Sequence, residues 1–161
     1  MSKMYLMVGA PGVGKSTYIK NHIQDGEHII SRDVIRYGLL TDEDDYFAKE
    51  KEVYAELINQ INQAIEEDAT FYVDQTSLNR KSRKGLLSKL NHRPDTIIAI
   101  YLKSSLSKIL SQNALRSGRA FVPETAVINM YSVLEEPTFN EDFDEIWIIE
   151  EDGNEKYLQK N

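Results

Sequence analysis

The stretch that most constrains this chain is Gly9-Ala10-Pro11-Gly12-Val13-Gly14-Lys15-Ser16-Thr17, a complete GxxxxGK[ST] pattern. An apolar run at residues 4–8 precedes it, and a helix-forming segment starts near Lys15. This is the strand–loop–helix setting in which glycines let successive backbone N–H groups converge on phosphate without Cβ crowding. The open amides and positive end of the following helix add to that attraction. Lys15 is the expected cation for the β- and γ-phosphates, and Ser16 the expected hydroxyl ligand of magnesium. A nucleoside triphosphate site follows from these residues alone.

The rest of the chain alternates strands and helices. Strands are expected at residues 4–8, 28–30, 70–73, 96–102 and 146–149, and helices at 15–24, 79–90 and 123–134. Val53, Leu57, Ile61 and Ile65 recur at four-residue steps and mark the longest helix as a packing element. The expected fold is therefore an α/β P-loop NTPase-type domain, with a five-stranded parallel sheet in order 2-3-1-4-5 and helices on both faces. No repeat or linker divides residues 1–161, so one domain is expected. The acidic residues 42–45 read as a solvated loop and helix start, the cations of residues 80–89 as the solvated face of an amphipathic helix, and Trp147 as core.

Composition narrows the function. With 26 acidic against 19 basic residues and a net charge of −7, broad wrapping of duplex nucleic acid is not expected. Cysteine is absent, which removes disulfides and thiolate metal sites. The opening segment lacks the apolar core of a signal peptide and no run approaches membrane-span length, so a cytoplasmic location is expected, with no membrane partner. Nothing in the sequence points to a protein partner.

Two carboxylates stand where strands end. Asp33 follows the second strand in a short turn, suited to orienting an acceptor hydroxyl and taking its proton. Arg36, three residues on, is suited to holding an acceptor phosphate. Asp74 ends the third strand, beside the phosphate loop, in an orienting or water-mediated role. Arg116 and Arg119 lie in a segment, approximately residues 113–123, that reads as a lid able to close over the triphosphate, either one serving as an arginine finger.

The chain resembles the kinase domain of bacteriophage and bacterial 5′-polynucleotide kinases, within the wider set of P-loop metabolite and RNA-repair kinases. The likeness rests on the phosphate loop, on Arg32-Asp33-Val34-Ile35-Arg36, on Asp74-Gln75-Thr76-Ser77-Leu78-Asn79, and on residues 113–123 with their continuation through Pro137. It implies that Asp33 is the general base, that Arg36 engages the acceptor phosphate with Asp74 and Thr76 on the acceptor side, and that Arg116 or Arg119 holds the donor phosphates. ATP and Mg2+ are the implied cofactors. A single-stranded or end-exposed nucleic acid is the leading acceptor, and a nucleoside, sugar or other metabolite is the alternative. A nucleotide-dependent switch is a third reading, one that leaves Asp33 and the lid arginines poorly explained. Ser77 departs from the family, which often has asparagine there.

Overall fold

The structure is a computed structural model and describes residues 1–117 and 122–161. Its elements are β1 (Lys3–Val8), α1 (Lys15–His22), β2 (His28–Ser31), α2 (Arg32–Leu39), α3 (Glu50–Glu66), β3 (Thr70–Asp74) and α4 (Arg80–Ser88). They continue as β4 (Thr96–Lys103), α5 (Leu106–Ala114), α6 (Glu124–Ser132), a 3-10 turn (Phe139–Glu141), β5 (Glu145–Glu150) and β6 (Glu155–Gln159). The strands form one sheet in order β2-β3-β1-β4-β5-β6. The first five are parallel, in the expected order. The sixth pairs antiparallel with β5 and was not anticipated, because its polar residues are all exposed and carry no burial signal.

Alternation along β1 divides the core. Met4, Leu6 and Val8 point to the face covered by α3, whose Val53, Leu57 and Ile61 are fully buried. Each such side chain contributes about 1.5–3 kcal/mol of transfer free energy. Met7 points to the opposite face and packs with Tyr18 and Ile19 of α1. A third cluster joins Ala10 of the phosphate loop to Ile109 of α5 and Val127 of α6. The loop is thus bolted to both the sheet and the following helices.

Several expectations need correction. Asp33 lies in the first turn of α2, which Ser31 caps by accepting the Val34 N–H, not in a turn. The acidic residues 42–45 precede α3 as a loop and do not start it; Asp44 accepts from the Thr41 amide and hydroxyl. α1 ends at His22, where Ile23 turns extended. Pro123 is the N-cap of α6 and precedes its first turn. Trp147 is half-buried, its ring meeting Tyr5 and Tyr157 at 5.5 and 5.1 Å between centroids. Arg83 is not solvated but fully buried. Its guanidinium donates to Glu141 at 2.6 Å and to the Ser77 carbonyl at 2.7 Å. Among the described residues no helix is long and apolar enough to cross a membrane.

Candidate active site

The parallel strands β1, β2 and β3 all end at one edge of the sheet, where open α/β sheets place ligands. The phosphate loop leaves β1, Asp33 follows β2, and Asp74 closes β3, which lies between them. A cavity of about 1070 Å3 opens there. Its walls bring together Pro11, Gly12, Gly14, Lys15, Ser16 and Thr17 with Asp33, Arg36, Asp74, Thr76 and Arg116. Gly9, Ala10 and Val13 stand behind that surface. A Cβ on Gly9 would lie 2.8 Å from Val13 Cγ1 and force that side chain to shift. Gly12 and Gly14 take φ of +83° and +104°, the left-handed region glycine occupies without strain. Arg119 lies outside the described residues.

Lys15 is buried, and its ammonium donates to the Gly9 and Ala10 carbonyls at 3.2 and 3.0 Å. Burial pushes its pKa down from 10.5 to about 8; Arg116 pushes the same way, against the pull of Asp74 and Asp33. The proximity of these four groups is therefore electrostatic as well as visible in the cavity wall. Ser16 Oγ donates to Asp74 Oδ2 at 2.7 Å. This hydroxyl and carboxylate are hard oxygen donors, a set that fits magnesium shared with donor phosphates and water.

The acceptor-side wall is more elaborate than the sequence suggested. Arg36, 5 % exposed, donates through Nε to Glu50 Oε1 at 2.7 Å and through Nη1 to Asp33 Oδ1 and to the Tyr46 hydroxyl. Arg32 donates to the other oxygen of Glu50 at 3.0 Å and to Gln75 at 3.0 Å. Burial pushes the Glu50 carboxyl up, but the hydrogen bonds from Arg36 and Arg32 outweigh it and hold the carboxyl below its ordinary value. Tyr46 in turn donates to Asp33 Oδ1 at 2.9 Å. Its phenol is pushed up, by burial first and then by the Asp33 charge, so it stays a neutral donor.

Tyr46, Glu50 and Arg32 were not singled out from the sequence. One weak signal was available: Arg32 and Arg36 sit four apart on one helix face, where like charges repel by about 0.2–0.5 kcal/mol, a cost that an acid between them relieves. Buried Asn113 donates to the Val122 carbonyl at 2.6 Å and accepts the Val122 N–H at 3.1 Å. A Cβ on Gly12 would meet Asn113 at 3.4 Å, so this clamp also backs the phosphate loop.

Residues 4–137 match the family model described as an AAA domain, and the chain belongs to that family. It is 27 % identical over 140 residues to the L-seryl-tRNA(Sec) kinase of Methanococcus maripaludis, a match covering 83 % of this chain and 53 % of that protein. The chain thus spans about half the length of that relative. Among solved structures it resembles a chain of the Pnkp1/Rnl/Hen1 RNA repair complex (TM-score 0.71, 20 % identity, 89 % of this chain and 46 % of that one). It also resembles a sugar kinase of Janibacter sp. (TM-score 0.66, 17 % identity, 93 % of this chain and 86 % of that one). The solved structures show the fold alone, one that this chain shares with kinases.

Proposed function

We propose that the chain is a phosphotransferase that moves the γ-phosphate of ATP to a 5′-hydroxyl end of DNA or RNA. The observation that carries the reading is the meeting, in one cavity, of the Lys15 loop with the Asp33–Arg36 pair of α2. Asp33 takes the acceptor proton as its oxygen bonds to the γ-phosphorus. The bond from phosphorus to the bridging oxygen breaks, and its electrons leave with ADP. Lys15 and the loop amides hold the donor, while Arg116, joined in this proposal by Arg119, balances charge moving onto the leaving group. Magnesium held by Ser16 and Asp74 would supply charge neutralisation on the donor phosphates. Arg36 and Arg32 present the planar donors that suit an acceptor phosphate, and Thr76 lines the same wall.

A small-molecule acceptor is the second reading. It is favoured by the sugar kinase likeness, which spans 86 % of that chain, whereas the RNA-repair likeness spans 46 %.

The test is transfer from γ-labelled ATP to 5′-hydroxyl DNA and RNA oligonucleotides, with nucleosides and sugars in parallel. Labelled oligonucleotide ends are expected. Asp33→Asn should cost about 10² to 10⁴ in rate, the usual share of a general base, and Lys15→Ala should abolish labelling. Label on a small molecule alone would leave the chemistry intact and replace the acceptor; label on nothing would end the kinase reading.

A further inference from the structure

The connection between α2 and α3, residues 40–49, lies against the cavity and carries Leu40, Asp42, Asp44, Tyr46 and Phe47 into its wall. Phe47 stays 61 % exposed, yet Tyr46 turns inward. Its ring lies 4.3 Å from the Arg36 guanidinium and meets Phe47 edge-on at 4.6 Å. Its hydroxyl does two things at once. It donates its proton to Asp33 Oδ1 at 2.9 Å, and its oxygen accepts from Arg36 Nη1 at 2.8 Å. These are the contacts that an acceptor alcohol needs before transfer: proton towards the base, oxygen fixed by a neighbouring donor. The phenol therefore stands where a reacting hydroxyl belongs.

We infer that Tyr46 is a specificity residue, a resident hydroxyl that keeps water from using Asp33 until the true acceptor displaces it. The inference rests on the reading of Asp33 as the base. Without the cap, water can give its proton to Asp33 as its oxygen bonds to the γ-phosphorus, and ATP is hydrolysed to ADP and phosphate. With the cap, the phenol holds the oxygen of Asp33 that also faces Arg36. An acceptor whose own phosphate recruits Arg36 weakens the Tyr46 contact from both sides and takes its place. A kinase built in this way separates alcohol from water by competition at the base, not by a closed cavity, which suits the half-exposed Asp33 side chain.

Tyr46→Phe keeps the ring and its packing and removes the hydroxyl. ADP release from ATP without any acceptor is the measurement, made on the full chain. The expected result is a rise of about tenfold or more, the scale of one hydrogen bond to a charged group. The KM of the 5′-hydroxyl oligonucleotide should fall, with kcat little changed. Asp33→Asn added to Tyr46→Phe should return acceptor-free ADP release to the level of Asp33→Asn alone.

Unchanged ADP release in Tyr46→Phe would overturn the inference, since water would then already reach Asp33 by its other oxygen. A lower kcat with no gain in hydrolysis would also overturn it, as the mark of a merely structural or proton-relaying tyrosine. The base itself is tested separately. If Asp33→Asn alone keeps full transfer to an acceptor, the proposed mechanism fails, whatever Tyr46 does.

Discussion

Lys15 holds a cation where the protein alone makes a cation costly. Its folded-state pKa of about 8 lies below the ordinary 10.5. Between those values the unfolded chain binds more protons, so the stability of the ligand-free protein should rise with pH across that window. Below pH 8 the buried charge is a standing cost, met in part by two loop carbonyls. Donor phosphates reverse the balance, because their negative charge favours the protonated amine. Nucleotide binding should therefore take up a proton above pH 8, and the donor Kd should rise with pH. Calorimetry at pH 8.5 in two buffers of different ionisation heat reads the uptake directly. Lys15→Met should abolish it; uptake that survives the substitution would place the titrating group elsewhere. The motif made this lysine legible from nine consecutive residues. Tyr46 and Glu50 were not, because their contacts to α2 span 13 and 14 residues, Tyr46 lying in a loop that no pattern orders and Glu50 opening α3 just after it.

At the scale of elements, apolar runs ending in turn residues were enough to read β1 to β5, and the position of the phosphate loop was enough to order them. β6 escaped because its strand state comes from pairing with β5, not from its own residues. Arg83 of α4 was misread for a related reason, while Arg80, Lys81, Lys84 and Lys89 are exposed as expected. Counting Arg83 among solvated cations follows from composition, but its partner Glu141 lies 58 residues further on. That pair does structural work for the site. The same guanidinium holds the Ser77 and Leu78 carbonyls at 2.7 and 3.2 Å, in the loop that follows Asp74. Ser77 sits there at φ +49°, the left-handed region that asparagine tolerates better than serine. Removing one member of a buried ion pair typically costs about 3–5 kcal/mol, because the other is left uncompensated. Arg83→Leu should lose about that much in urea denaturation with an unchanged m-value. It should also reduce transfer among the molecules that remain folded, since the loop carrying Asp74 and Thr76 loses its tie. A loss below about 1 kcal/mol would show that Glu141 finds other partners.

The whole molecule is acidic, at −7, and its acceptor wall sets Arg32 and Arg36 among the carboxylates of Asp33, Asp42, Asp44 and Glu50. Arg32 and Arg36 are the cations of that wall, and Glu50 already binds both, so each is aimed but half-neutralised. Such a surface suits one or two phosphates next to a reacting end and repels a long backbone track. The basic face of α4 offers the contrary arrangement, with Lys81, Lys84 and Lys89 all exposed. Salt dependence separates the two. For single strands the slope of log affinity against log salt is about −0.7 per phosphate neutralised. Recognition of the end alone predicts a slope of about −0.7 to −1.4 for the acceptor KM expressed as affinity, from one or two phosphates. It also predicts that a trinucleotide and a twenty-nucleotide strand serve almost equally. A slope steeper than about −2 would mean three or more neutralised phosphates. Together with a marked gain on lengthening, and the loss of both in Lys81→Gln/Lys84→Gln, it would assign α4 to the nucleic acid. Under end recognition that double substitution should change neither quantity, because the strand leaves the cavity before reaching the helix.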